Sequence, residues 1–463
     1  LHPAQRQLVE KQFTGPAKVA GSAGTGKTIV ALHRAVHLAR RDPNARVLLT
    51  TFSKPLSHAL QTRLRVLLKS EPRIAERIEV YSMEEVASRL FKVNIGTVQI
   101  APESVIRDLI KDAAAKVHSH SFRLPFLFSE WTQVVDAWQL DTWESYRDVT
   151  RLGRRTRLKE QQRVVLWEIS EHVRTALRTR GLITQSGMFN TLASHYKNGA
   201  HSPYDYVVVD EAQDISIAQL RFISAMAVAR PDALFFAGDL GQRILQQPFS
   251  WKAAGVDIRG RSTTLRINYR TSHQIRSQAD RLLGRQIADV DGNIEERKGT
   301  VSVFDGPKPE IVVFATKEKE QEHAAAWLKK CVTDGVRKEE IAVFVRSDGE
   351  ITRATAAIEK AGFQANVLDD QVAIRVDLIS AGTMHLAKGL EFKAVAVMAC
   401  DDGAIPQEHR IEGITDESDL EDVYDTERQL LYVACTRARD RLLVTAAEPP
   451  SEFLDDLRSV GTS

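Results

Sequence analysis

The sequence predicts an α/β chain with two parallel, doubly wound sheets in tandem and a helical insertion in the first. Three observations carry this. Short β-branched runs alternate with longer segments of helical periodicity, the βαβ pattern. Most of these runs are apolar at every position, as strands of a parallel sheet covered on both faces must be. The runs also form two groups, and a long stretch without a convincing strand splits the first.

The first group holds 46–52 (RVLLTTF), 206–210 (YVVVD) and 233–239 (ALFFAGD). The second holds 311–316 (IVVFAT), 341–346 (IAVFVR), 394–400 (AVAVMAC) and 441–445 (RLLVT). Segments such as 320–331 read as the intervening helices. The stretch from about 92 to 200 is rich in Trp, Arg and polar residues and reads as helical, for example over 158–179. A parallel-type strand resumes straight after it, so it is an insertion. The expected division is therefore 1–92 and 201–268 for the first lobe, 93–200 for the insertion and 269–463 for the second lobe.

Length and composition set bounds. A chain of 463 residues is too long for one ordinary domain and sufficient for two or three. Hydrophobic residues at 43% and charged residues at 27% are the balance of a globular protein in water. No apolar run approaches the ~20 residues that span a bilayer, so no membrane association is expected. The start, LHPAQRQLVE, has no apolar core or small-residue cleavage site, unlike a signal peptide. It also lacks an initiator Met, which marks the chain as a candidate fragment with upstream domains out of view. The cysteines Cys331, Cys400 and Cys435 make no CxxC pair and are odd in number. That argues against a disulfide framework or zinc site and for a reducing cytoplasm. A net charge of +2 means that any nucleic-acid binding rests on local patches.

The strongest single signal is Gly21-Ser22-Ala23-Gly24-Thr25-Gly26-Lys27-Thr28, a full match to G-x-x-x-x-G-K-[ST]. The apolar segment 17–20 precedes it and a helical pattern (Ile29, Val30, Leu32, Val36) follows. The chemistry needs this context. Glycines let backbone N–H groups curl around phosphates, and the helix directs its positive end at them. Lys27 is placed for the β- and γ-phosphates of ATP and Thr28 for Mg²⁺. A carboxylate at the end of a buried strand should complete the site, and Asp210-Glu211 supplies it. Asp210 is expected to hold the metal through water, and Glu211 to polarise the attacking water.

Together these boxes resemble the UvrD/Rep-type superfamily 1 helicases. Asp210-Glu211-Ala212-Gln213-Asp214 is similar to that family's DEAQD box, and Leu1-His-Pro-Ala-Gln5 to its Q motif. Thr51-Phe52-Ser53, Gly238-Asp239-Leu-Gly-Gln242 and Asn268-Tyr269-Arg270 follow in the family's order. So do Thr383-Met-His385-Leu-Ala-Lys388-Gly389-Leu-Glu391-Phe392 and Leu431-Tyr-Val-Ala-Cys-Thr436-Arg437-Ala438. The resemblance implies two RecA-like P-loop NTPase lobes. It implies that Gln5 reads adenine, Tyr269 stacks on it, and Glu391 contacts the ribose. It further implies that Gln242, Arg270 and Arg437 reach the γ-phosphate, with Arg437 coming from the second lobe. For DNA it points to Phe52, Phe249, Trp251, Thr383 and His385, without separating which ring stacks on bases.

Within the insertion, Arg151, Arg154, Arg155, Arg157 and Lys159 give five basic residues in nine. They follow Trp131, Trp138, Trp143 and Tyr146. Two readings stand: a phosphate-binding patch beside aromatics, or a solvated helix face over a Trp-rich local core. The acidic run 416–425 reads as solvated surface. Arg270 and Thr383 are only 113 positions apart (383 − 270), so the family's large second-lobe insertion is absent or reduced to a connection. The first-lobe insertion remains, since Lys27 and Asp210 are 183 apart (210 − 27). The expectation is an ATP-dependent motor that translocates on single-stranded DNA, 3′ to 5′ by resemblance, and unwinds duplex. The alternatives are an RNA-directed remodeller and an ATP-gated clamp.

Overall fold

The computed structural model describes residues 1–117, 120, 122–149, 158–227, 230–239, 242, 249–283, 286–289, 291–292, 294–296, 299–369, 372–411 and 417–458. Two six-stranded sheets organise it. In the first, the strands run in the order Ile78–Ser82, Val47–Thr51, Tyr206–Val209, Leu234–Ala237, Ala17–Ala20, Ser262–Thr264, every neighbouring pair parallel. In the second the order is Glu310–Phe314, Ala438–Ala447, Phe392–Val397, Ile341–Val345, Ile379–Thr383, Ala365–Val367, again all parallel. Each sheet is apolar on both faces, and each face has its own core. Val207, Val209 and Phe236 look one way in the first sheet, and Tyr206, Val208 and Phe235 the other. Alternate side chains of fully buried strands must point into opposite cores.

The strands expected from sequence are all present. Within the two six-stranded sheets, four strands were not expected: Ile78–Ser82, Ser262–Thr264, Ala365–Val367 and Ile379–Thr383. Three of these lie at sheet edges, where half-exposure breaks the apolar run. The fourth carries Ser380, Ala381 and Gly382, small residues chosen by close packing. A Cβ on Gly382 would press on Leu368.

The helical module has a separate core of Ile106, Leu109, Ile110, Trp131, Tyr146, Leu166, Ile169 and Val173. Trp131 is 4% and Tyr146 0% exposed, and the Tyr146 hydroxyl donates to Glu130 at 2.8 Å. The aromatic run therefore forms a local core. Of the basic cluster, Arg151, Arg154, Arg155 and Arg157 lie outside the described residues, as does Asp416 of the acidic run. The helix Gln185–Lys197 belongs elsewhere. Its Met188, Phe189, Leu192 and Tyr196 enter the core of the first sheet beside Phe222.

Two contacts tie the module to the first sheet's helices. Arg221 donates to the Trp138 carbonyl at 3.0 Å with its guanidinium over the Trp138 ring. Asp136 accepts from the Thr184 hydroxyl at 2.6 Å, and that same hydroxyl caps the helix Gln185–Lys197 through Gly187 N–H. Burial pushes the Asp136 carboxyl up to about 6, against the hydrogen bonds it accepts from Thr184, Ser186 and Gln139. A carboxyl whose folded pKa is raised contributes stability that is full below its unfolded value of 3.8 and is lost as pH rises through about 6. Asp136→Asn keeps an acceptor oxygen for Thr184. It should therefore raise the melting temperature at pH 7.5 but not at pH 4, a gain on the order of 2 kcal/mol. Thermal melts of both chains across this range check it; a pH-independent difference would refute the assignment.

Candidate active site between the two sheets

The phosphate loop follows the strand Ala17–Ala20 and ends at Gly26, which caps the helix Lys27–Arg41. Gly24 and Gly26 adopt φ of +81° and +85°. L-side chains avoid this region, and here there is no room for one. A Cβ on Gly24 would strike Asn268 Oδ1, and one on Gly26 would strike Gln5 Nε2. Thr25 closes the loop by donating to the Ser22 carbonyl at 2.9 Å. The Lys27 ammonium donates to the Gly21 and Ser22 carbonyls at 2.6 and 3.1 Å and stands 3.8 Å from Asp239. Ser22 Oγ is buried with no hydrogen-bond partner among the described residues. A glycine cradle, a lysine held inside it and an unsatisfied hydroxyl fit a polyphosphate chain.

Asp210 and Glu211 end the strand Tyr206–Val209 beside this loop. Thr28 hydrogen-bonds Asp210, and burial together with the Glu211 charge raises the Asp210 carboxyl. This hydroxyl–carboxylate pair supplies the hard oxygens that Mg²⁺ prefers. Burial would raise Glu211 too, but Lys388, Lys27, the Gln213 hydrogen bond and Arg437 outweigh it and hold Glu211 below the usual range. Glu211 adopts φ +54°, a strained conformation that persists only where the surroundings fix it. Gln213 does this: its amide donates to Glu211 at 2.5 Å while its oxygen accepts from Asp239 N–H at 2.9 Å.

Gln5 is buried and donates to the Thr25 carbonyl at 3.2 Å. Tyr269 stands at the mouth of the cleft, 38% exposed, with its N–H on the Gly24 carbonyl at 2.9 Å. Asn268 locks this corner. Its amide donates to the Ala23 carbonyl at 2.9 Å, and its oxygen accepts from the N–H groups of Arg270 and Thr271. Arg270 faces Glu391 at 3.7 Å. From the other sheet, Arg437 donates to Gln242 Oε1 at 2.9 Å, and Gln242 donates to Asp239 at 2.6 Å. Burial and the nearby Arg270 push Arg437 down to about 10, so it stays charged at neutral pH. Ala23, Gly24, Gly26, Lys27, Thr28, Asp210, Glu211, Gln242, Tyr269, Arg270, Glu391 and Arg437 thus line one cleft of about 450 Å³.

Residues 1–259 match the UvrD/REP helicase N-terminal domain, and residues 369–449 match the UvrD-like helicase C-terminal domain. The chain belongs to the UvrD/REP helicase family. It is 26% identical over 266 residues to a probable DNA helicase of Mycoplasma pneumoniae, covering 54% of this chain and 46% of that protein. It is 24% identical over 503 residues to DNA helicase IV of Escherichia coli, covering 99% and 70%. A UvrD1 helicase of Mycobacterium tuberculosis is 40% identical over 91 residues, 17% of this chain and 11% of its own length. The chain therefore spans less than half of the Mycoplasma relative.

In this UvrD/REP-family chain, two arginines unnamed by the sequence reading also line the cleft: Arg63 and Arg439. Arg63 was legible as spacing, since Leu56, Ala59, Leu60 and Arg63 form one face of the helix Lys54–Leu67. The strand-contact candidates are more scattered. Phe52 is half-buried under Lys388. Phe249 and Trp251 pack on the first core, Trp251 edge-on to Phe236 with centroids 4.8 Å apart. Thr383 ends a central strand of the second sheet. His385 follows it at the surface beside Arg346, Glu427 and Arg410; loss of water around the ring and then the Arg346 charge lower its pKa, so it is neutral at pH 7. Among the described residues no helix is long and apolar enough to cross a membrane, and no group of three or more His, Cys, Asp or Glu is arranged to hold a metal.

Asn268→Ala should leave the fold intact and weaken ATP binding about tenfold, the expected cost of freeing buried N–H groups. Titration of a fluorescent ATP analogue measures it; unchanged affinity would mean that the loop holds its shape without Asn268.

Proposed function

We propose that this chain is an ATP-driven DNA motor that hydrolyses ATP, translocates on single-stranded DNA and unwinds duplex. The observation that carries the reading is the meeting of Lys27, Asp210 and Glu211 from one sheet with Arg437 from the other across a single cleft. Phosphoryl transfer needs such a set: cations for the phosphates, an oriented water, and an arginine from a second body. Lys27 moves from its own loop carbonyls to the β- and γ-phosphates. Glu211 orients the water, held by Gln213. Gln242, Arg270 and Arg437 reach the γ-phosphate, so hydrolysis weakens the contact between the lobes. Gln5 reads adenine, Tyr269 stacks on it and Glu391 takes the ribose. Thr28 and Asp210 would hold Mg²⁺, which would supply positive charge against the phosphates.

Phe52 is the best-placed ring for a base, since Phe249 and Trp251 are engaged in packing. Thr383 and a neutral His385 offer hydrogen bonds to the strand rather than a cation. The 3′-to-5′ direction and the cytoplasmic setting follow from the family resemblance. The proposed division is a first lobe (1–92 and 201–268), an insertion (93–200) and a second lobe (269–463), with 185–197 reassigned to the first lobe whose core it enters. The connection 369–378 joins two neighbouring strands of the second sheet, so the second lobe carries no large insertion at that point.

Single-stranded DNA should stimulate ATP hydrolysis strongly, and RNA of the same length much less. Lys27→Ala should abolish the activity, and Glu211→Gln should lower kcat by about a hundredfold or more while ATP still binds. Steady-state hydrolysis with each polymer tests this. Activity indifferent to both polymers would sink the motor, and equal stimulation by RNA would favour the remodeller.

A further inference from the structure

Arg34 is fully buried, two turns beyond Lys27 on the helix Lys27–Arg41. Its guanidinium donates to the carbonyls of Val9 and Lys11, both at 2.6 Å, and to the Asp232 carboxylate at 2.7 Å. Val9 and Lys11 lie at the C-terminal end of the helix Pro3–Glu10, where the last carbonyls have no partner within the helix. A cation there also meets the negative end of the helix dipole. Asp232 extends the clamp. Its carboxylate accepts from Phe13 N–H and from Arg41, each at 2.7 Å, and its own N–H donates to the Phe13 carbonyl at 3.0 Å.

The helix gripped in this way carries Gln5. A helix of eight residues is too short to persist alone in water, so its position is set by what holds it. Val9 is one turn beyond Gln5 on the same face. The Gln5 amide has a defined direction: its oxygen accepts from His2 N–H at 3.2 Å, and its nitrogen donates to the Thr25 carbonyl at 3.2 Å. An amide oxygen has a second lone pair and an amide nitrogen a second proton. In this direction they match the N6 donor and N7 acceptor of adenine. Guanine puts the acceptor O6 where adenine has its donor, so two acceptors would face each other.

We propose that Arg34, paired with Asp232, is the positioning residue that fixes Gln5 against the phosphate loop and makes the cleft select adenine over guanine, a reading that rests on Gln5 contacting the base as proposed above. Lys27 and Arg34 share one helix, so the clamp places Gln5 relative to the phosphate site. A shift of Gln5 by about 1 Å would stretch both hydrogen bonds to the base out of range.

The full chain is compared with its Gln5→Ala, Arg34→Met, Arg34→Lys and Asp232→Asn variants, with folding checked by circular dichroism. Affinities for the β,γ-imido analogues of ATP and GTP are measured by titration calorimetry without DNA, so the outcome does not depend on the motor. The unaltered chain should prefer the adenine analogue by about tenfold or more. Gln5→Ala should bring the two affinities within about twofold. Arg34→Met should do nearly the same by weakening the adenine analogue alone, since guanine gains nothing from Gln5. Asp232→Asn is nearly isosteric but leaves Arg34 and Arg41 side by side without their anion, and should lower the preference to about threefold. Arg34→Lys, a point charge in place of a fork, should fall between the unaltered chain and Arg34→Met. A merely structural role would weaken both analogues alike and leave their ratio intact. That result in Asp232→Asn and Arg34→Lys overturns the proposal, even where Arg34→Met fails to fold. A preference that survives in Gln5→Ala overturns the assignment of Gln5 to adenine, and this proposal with it, as does an unaltered chain that binds both analogues equally.

Discussion

The arrangement of the cleft depends on polar contacts that cross between two separately cored sheets. Lys388 with Asp214 and Arg437 with Gln242 both join the bodies, and both are buried. Burying two such cations costs several kcal/mol each before their partners are counted. A seam of this kind adds little net stability compared with apolar packing. What it adds is directionality: only one relative placement satisfies both cations. It is also easily disturbed, because any phosphate entering the cleft competes for Arg437 and Lys27. The seam thus favours a closed cleft while leaving the closure responsive to what fills it.

Much of the site was legible in the sequence because its chemistry demands contiguous residues. A phosphate cradle needs its glycines, lysine and threonine within one turn, so Gly21–Thr28 announces itself. The strand before Asp210 reads clearly because burial on both faces leaves only apolar choices. Lys388, Gln213, Asn268, Arg63 and Arg439 were harder. Three of them lie in recognised boxes, yet their partners are distant in sequence: Lys388 meets Asp214 174 residues away, and Asn268 meets Ala23 245 away. No local pattern reports such pairings. The unexpected edge strands failed for a different reason, since half-exposed strands lose the apolar signal that marks the centre of a sheet.

The insertion shows where composition misleads. Its Trp-rich sequence reads as one unit up to 200, yet the helix Gln185–Lys197 packs into the core of the first sheet. The helix Gln185–Lys197 shares the composition of its neighbours, but Phe189, Leu192 and Tyr196 face the first sheet. Periodicity identifies the buried face of a helix and does not say which core that face enters. Thr184 marks the junction physically. One hydroxyl caps the helix behind it and donates to Asp136 in the module ahead, so the boundary is itself a hydrogen-bonded joint.

The electrostatics of Glu211 bear on what kind of catalyst this cleft can be. Its carboxylate is held ionised by Lys388, Lys27, Gln213 and Arg437 against the effect of burial. Two of those cations, Lys388 and Arg437, come from the second sheet's side. A carboxylate with a lowered pKa is a weak base, poorly suited to removing a proton from water outright. It is well suited to holding a water in line, which is most of what a loose phosphoryl-transfer transition state asks of the protein. The strained backbone at Glu211 and the short Gln213 bond serve the same end, because both fix direction rather than raise basicity. Two of the three cations that hold Glu211 ionised arrive from the opposite body, while Gln213 fixes its direction from the first sheet's own side.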